Sequence, residues 1–440
     1  MLIFAIPLLI GNMFQQVYSI ADAIFLGRFV GDNALAAVGS STSVIFLIQV
    51  VLMGIGIGAS VMVSQYLGAK SREDISYTVG TSITIMTIMS LIMMIFAPLG
   101  TRPLLILLST PAEILDDSVT YMNVLIWGIL GVCYFNILSA IIRGLGDSIT
   151  PLYYLIFACL LNIALNFFFI VYLGLGVFGA AIGTVIAQAL SSILCFRRLM
   201  QMRDIFDMSW YYIKPKKEYV NQMLRLGLPT GASQAAFAIA MMIIQPLVNG
   251  FGAMFIATNL IVMRIDGFIM MPIFSFGNAI TVFTGQNVGA GKLDRVTLGL
   301  KQCCYISAAT ATVILSLVLL FGQHIAGAFT QTQEVIVLSM RMLRILAAGY
   351  IALSVCMVLW GVIRGAGDAI SPLWGTVALV VFIRLPSAFL LVHLMGKPEA
   401  LMISNLANWL ANLAIAAYVY RKGLWREKSL VRIRPPKIEE

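Results

Sequence analysis

Apolar residues in this chain run on for about 20 positions at a stretch, without the two-residue alternation of a half-buried strand. A helix of roughly that length crosses a ~30 Å hydrocarbon layer. By that measure, spans are predicted over residues 2–25, 34–64, 75–97, 119–141, 152–173, 177–198, 227–248, 253–280, 301–322, 338–361, 372–395 and 400–420. A barrel wall is excluded, because its strands would place a polar residue toward the lumen at every second position. The expected class is an all-α integral membrane protein with twelve transmembrane helices.

The polar connections between these spans repeat. "RGLGDSITPL" at 143–152 returns as "RGAGDAISPL" at 364–373, 221 residues later. "VSQYLGA" at 63–69 answers "TGQNVGA" at 284–290, and "FAIPLLIG" at 4–11 answers "LRLGLPTG" at 224–231, aligning Pro7 with Pro229. The chain therefore reads as a tandem duplication. Each half holds an even number of spans, so both enter the membrane in one orientation, as pseudo-symmetric six-helix bundles about an axis along the bilayer normal. The expected organisation is a lobe over 1–198, a linker over 199–224, a second lobe over 225–420 and a basic tail over 421–440. The polar linker reads as the hinge. In the repeated turns, Arg143, Gly146 and Asp147 and their counterparts Arg364, Gly367 and Asp368 are expected to be structural or gating elements. Glycine permits tight backbone there, and each aspartate can cap the next helix or pair with a nearby arginine.

Composition supports the bilayer reading, with 60% hydrophobic and 11% charged residues. The net charge of +9 raises the question of an acidic partner, which the positions of the 28 basic residues answer. Connections after even-numbered spans, with the tail, hold Lys70, Arg72, Arg143, Arg197, Arg198, Arg203, Lys214, Lys216, Lys217, Arg225, Lys292, Arg295, Lys301, Arg364 and the cations from Arg421 to Lys437. The opposite connections hold only Arg28, Arg102 and Lys397. This is a positive-inside bias placing both termini in the cytoplasm, and nucleic acid is not an expected partner. The first span lacks a basic leader and a cleavage site, so it reads as permanent. A short cytoplasmic segment commonly precedes such a first span, so a start upstream of Met1 is expected.

Little here resembles catalytic chemistry, and no enzyme activity is expected. His324 and His393 are far apart in sequence and have no acidic neighbours arranged beside them, and the six cysteines show no zinc-ligand spacing, so no metal is expected. "GIGIG" at 54–58 follows no strand; its glycines, four apart, suit close helix packing, and nucleotide is not an expected ligand.

The twelve spans and repeated turns resemble the MATE (multidrug and toxic compound extrusion) family of cation-coupled exporters. "FAIPLLIGNMFQQVYSIADAIFLGRFVG" at 4–31, "LNIALNFFFI" at 161–170, "GVFGAAIGTVIAQ" at 176–188 and "RIDGFIMMPIFSFGNAITVFTGQNVGAG" at 264–291 carry the resemblance with the paired turns. It implies a V-shaped pair of bundles and alternating access in a prokaryotic plasma membrane. It also implies antiport of amphiphilic, often cationic, small molecules against inward H⁺ or Na⁺, with no other cofactor and in a monomer. The alternative is a flippase for lipid-linked sugars or other lipids, which would favour a cavity lined by several basic residues.

Ionisable residues inside a membrane are costly and default to functional candidates. Asp22 is the acidic residue well within a span of the first half, and Gln15 and Gln16 add polarity to its helix. The resemblance matches Asp22 to the family's first-helix aspartate, Asn162 to a fifth-helix asparagine and Thr184 to a sixth-helix threonine. Asn166 stands where some members carry a second aspartate, which leaves the coupling ion open. In the second half Arg264, Asp266 and Arg384 lie within spans. Asp266 and Arg384 fall near mid-depth and are expected to pair, as a structural ion pair or as a coupling or substrate site. Arg264 and Asp266, two apart, do not share a helix face. Asn405, Asn408 and Asn412 form a polar stripe on the last span.

Overall fold

The computed structural model describes residues 2–108 and 110–431; the end of the basic tail, from 432 to 440, lies outside the described residues. Among them there is no strand. Eleven helices are long and apolar enough to cross a membrane, and a further span consists of two helices meeting at a 52° bend. In chain order the helices are α1 (Leu2–Phe29), α2 (Asp32–Gly68), α3 (Arg72–Leu107), α4 (Ala112–Trp127), α5 (Ile129–Gly144), α6 (Ile149–Asn166), α7 (Gly176–Gln201), the short α8 (Trp210–Ile213) and α9 (Lys217–Gly250). They continue with α10 (Ala253–Gly289), α11 (Leu293–Gly327), α12 (Gln333–Gly365), α13 (Ile370–Leu379), α14 (Leu385–Met395) and α15 (Glu399–Lys422). The chain is a multi-pass membrane protein.

The fourth span is not the single helix predicted over 119–141. It breaks at Gly128, between α4 and α5, where a Cβ would come 2.2 Å from Val185 Cγ2 on α7. Only glycine lets the chain pass so close. Elsewhere the helices overrun the apolar windows: α3 continues to Leu107 through Pro98 and Pro103, since a helix satisfies its own backbone whether or not lipid surrounds it.

Two spans loosen into π-helical turns, at Phe167–Tyr172 after α6 and at Val380–Arg384 between α13 and α14. The second has a clear local cause. Pro386, at the start of α14, has no N–H to complete the α-helical ladder, so the register slips by one residue just before it.

The chain forms two compact units, Ile6–Gly231 and Ala232–Glu440 with Met1–Ala5. Within the first, Gly54 and Gly58 of α2 meet the early part of α9: a Cβ on Gly54 would lie 2.5 Å from the Gly227 carbonyl oxygen. That is the close helix approach expected of these glycines. Within the second, a core of Ile265, Ile269 and Ile273 on α10, Leu343, Leu346 and Tyr350 on α12, and Trp409 on α15 is almost fully buried. Gly361 and Gly365 bring α12 against α10, and Thr281 Oγ1 donates to the Gly361 carbonyl at 3.1 Å. All six cysteines are unpaired and five are buried, as small core residues.

Candidate functional site

Asp22 sits on α1 opposite Asn162 and Asn166 of α6 and Thr184 of α7. The two asparagines are four apart and so share one face of α6. Both are completely buried. Asn166 Nδ2 donates to Asp22 Oδ1 and, at 3.1 Å, to Asn162 Oδ1; Asn162 Nδ2 in turn donates to Thr184 Oγ1 at 3.3 Å. Gly183 makes room for this chain of bonds, because a Cβ there would stand 3.0 Å from Asn166 Oδ1. The four residues matched through the resemblance therefore meet.

Two buried polar atoms of this cluster have no partner, Asn166 Oδ1 and Tyr18 Oη. Tyr18 lies one turn before Asp22 on the same face of α1, and its hydroxyl neighbours Asp22 and Thr184. Buried polar groups are normally satisfied, so an open donor and an open acceptor beside one carboxylate leave room for a bound species. Sequence reasoning missed Tyr18; its four-residue spacing from Asp22 was the available signal. Gln16 is exposed and takes no part.

The pair expected between Asp266 and Arg384 does not form. Four ion pairs occur among the described residues, and none includes Asp266, Arg384 or Arg264. Asp266 on α10 instead accepts from the hydroxyl of Tyr350 on α12, whose ring lies 5.1 Å from that of Trp409. Arg384 ends the π turn, and its Nη1 reaches the Leu401 carbonyl and Ser404 Oγ on α15, both at 3.4 Å. An expected common depth did not fix azimuth: the two side chains meet different helices. Arg264 lies exposed on α10, off the face of Asp266. On the asparagine stripe, Asn412 accepts from Trp360 Nε1 at 2.8 Å, whereas the buried Asn408 Oδ1 meets no donor.

The repeated turns are superimposable in their bonding. Asp147 Oδ1 accepts from the amides of Ile149 and Thr150 at 3.2 and 3.0 Å, and Oδ2 from Thr150 Oγ1 at 2.6 Å. Asp368 repeats this with Ile370 and Ser371 at the same three distances. Gly146 and Gly367, at φ 98° and 102°, hold a conformation that other residues rarely adopt. Asp147 pairs additionally with Arg198 at 2.9 Å rather than with Arg143. Burial acts to raise its carboxyl, but bonds from Thr150 and Arg198 win and hold it below the ordinary aspartate value. Arg143 lies near the Cys195 thiol, and Arg364 Nε is buried without a partner.

The MatE family model matches residues 7–168 and again residues 229–390. Over 98% of its length the chain is 26% identical to the probable multidrug resistance protein YoeA of Bacillus subtilis, covering 95% of that protein. It is 25% identical to the probable multidrug resistance protein NorM of Thermotoga maritima, covering 97% of this chain and 93% of that one. The multidrug export protein MepA of Staphylococcus aureus is 23% identical, with 96% and 93% covered. Among solved structures, a MATE protein in the bent conformation aligns with a TM-score of 0.88 at 24% identity over 97% of this chain and 96% of that one. The outward-facing conformation of a multidrug resistance MATE family transporter of the MOP superfamily aligns at 0.89 and 23% identity over the same shares. At such identities the structural likeness speaks for the fold. The family model, matching most of the chain in two copies on a multi-pass helical framework, establishes that the chain belongs to the MATE family and is a membrane transporter, not an enzyme.

Proposed function

We propose that the chain exports amphiphilic, cationic compounds by alternating access, in exchange for inward H⁺ or Na⁺, and that Asp22 is its coupling carboxylate. The observation that carries this reading is the buried chain from Asp22 through Asn166 and Asn162 to Thr184, with Tyr18 Oη and Asn166 Oδ1 left open beside it. The names of the multidrug relatives agree with it.

The bonding offers two states. An ionised Asp22 can only accept, and it takes the Asn166 amide donor. A protonated Asp22 can donate, and Asn166 Oδ1 is an acceptor without a donor. Protonation thus reverses one bond and reseats α1 against α6. The same oxygens, with Asn162 Oδ1 and Thr184 Oγ1, suit a hard monovalent cation. A cationic substrate favours the ionised carboxylate and an incoming ion displaces it. Coupling then follows from competition for one negative charge.

The uneven distribution of basic residues supports both termini facing the cytoplasm. Each chain carries the whole cluster, which suits a monomeric transporter. The test is drug efflux from proteoliposomes with H⁺ and Na⁺ gradients imposed separately. Efflux driven by one gradient and absent without any supports the reading; gradient-independent equilibration rejects it.

A further inference from the structure

Arg384 is a cation with no carboxylate partner among the described residues. Its side chain is only 7% exposed, inside the unit that contains α10 to α15. A guanidinium stays charged in proteins and carries five N–H donors. Here Nη1 makes two long bonds of 3.4 Å to neutral oxygens, and no carboxylate joins the group among the described residues. A buried, uncompensated charge is among the costliest features a membrane protein can hold. A bound anion would offset that cost.

The surroundings are those of an anion cradle. The π turn frees the backbone around Arg384, and Ser387 and Ser404 crowd beside it with their hydroxyls 2.7 Å apart. The Arg384 carbonyl lies 3.4 and 3.2 Å from the two hydroxyls; one of them donates to the other, and both can rotate to donate elsewhere. One turn along α15 from Ser404 stands Asn408, 8% exposed, with its amide oxygen unpartnered. The two amide ends of an asparagine are interchangeable by a flip, so this side chain can equally present its N–H₂ to an incoming oxygen. No carboxylate pairs with Arg384 among the described residues, and Asp266 is engaged by Tyr350.

We propose that Arg384, with Ser387, Ser404 and Asn408, forms an anion-binding subsite that receives the carboxylate or phosphate of an amphiphile. The subsite deepens the exporter reading on which it rests. It widens the substrate class from plain cations to amphiphiles that carry a carboxylate or phosphate. The same chemistry also suits the phosphate of an anionic lipid.

The test uses the full chain in phosphatidylcholine nanodiscs and two dyes that differ at one group: rhodamine 110, with a free carboxylate, and its methyl ester rhodamine 123. Fluorescence anisotropy is expected to show the acid binding about tenfold more tightly than the ester, as a charge-assisted guanidinium contact supplies. Arg384→Gln should abolish that preference, bringing the affinity for the acid down to about that for the ester. Should this variant not fold, Arg384→Lys and Ser404→Ala serve instead, each reducing the preference severalfold. Adding phosphatidylglycerol separates the two sources: a lipid occupant weakens acid binding to the unmodified protein but not to Arg384→Gln, and a substrate subsite shows no such competition. Equal affinities for both dyes, or a preference that survives Arg384→Gln, overturns the subsite. Gradient-driven transport of rhodamine 123 is measured in parallel, so that a failed exporter reading is told apart from a failed subsite.

Discussion

Gly80 on α3 lies beneath the backbone carbonyl of Tyr212, so close that a Cβ on Gly80 would sit 2.0 Å from the carbonyl oxygen. Around this contact the connecting segment is strapped down. Arg72 grips Asp207 with two bonds, at 2.7 and 3.0 Å, and reaches the carbonyls of Arg203 and Asp204. Thr84 Oγ1 donates to the Ile213 carbonyl at 2.7 Å, and Lys216 Nζ stands 3.6 Å above the Tyr77 ring. We expect Gly80→Val to lift the strap, lowering stability by about 1–3 kcal/mol, the range for overpacked sites, and exposing residues 203–216 to protease. Unchanged melting and unchanged proteolysis would mean the strap yields without cost.

Asp22→Asn should give a folded, membrane-inserted protein that binds ligand but no longer exports against a gradient, because the substitution fixes the neutral state. Asn166→Ala takes from Asp22 its observed donor and from Asn162 Oδ1 a second bond. We expect it to cost about 1–3 kcal/mol of stability, the cost of leaving buried groups unpaired, and also to change the ion dependence of transport. Full gradient-driven export by purified Asp22→Asn would place the coupling charge elsewhere, with Asp266 the next to test.

Long apolar runs made the helices legible, because a bilayer-spanning helix needs only length and hydropathy. The repeated R-G-x-G-D turns were legible too, since a glycine at positive φ followed by a capping aspartate leaves a local signature; Gly146 and Gly367 differ by only a few degrees. What the sequence hid was azimuth. Asp266 and Arg384 were expected at a common depth, yet each turns to a different helix, and Tyr350, the residue that engages Asp266, is 84 positions away with no periodic link to it. For the polar linker, what no residue pattern records is that Arg72 and Thr84 donate to its backbone carbonyls, with Gly80 leaving room for the approach.

Because Asp266 and Arg384 have separate partners, their substitutions should act independently. Asp266→Asn and Arg384→Gln are expected to add within about 0.5 kcal/mol in thermal or denaturant melts, as sites without shared partners do. Asp266→Ala with Tyr350→Phe should depart from additivity by about 0.5–3 kcal/mol, since either change alone strands the other group. A strong coupling between Asp266 and Arg384 in this cycle would mean that the two approach one another in another state of the transport cycle.

The twin turns give a controlled comparison of a cap with and without an ion pair. Asp147 and Asp368 make the same three bonds to the helix that follows, but only Asp147 meets an arginine, Arg198. Replacing either aspartate with alanine should therefore cost a similar ~1–2 kcal/mol, the worth of an N-terminal cap. Arg198→Gln should cost less, about 0–1 kcal/mol, because its guanidinium is 36% exposed and solvent screens the pair. Acidity distinguishes the contributions further. The folded Asp147 carboxyl lies below its ordinary value, so its stabilisation is fully present above the unfolded value of about 3.9 and fades as pH falls below it. Asp147→Asn keeps an acceptor for the amides but loses the charge, and it should flatten the loss of melting temperature between about pH 5 and 3. If Arg198→Gln proves as damaging as Asp147→Ala, the ion pair rather than the cap holds the first turn, and the likeness of the two turns in bonding does not extend to what stabilises them.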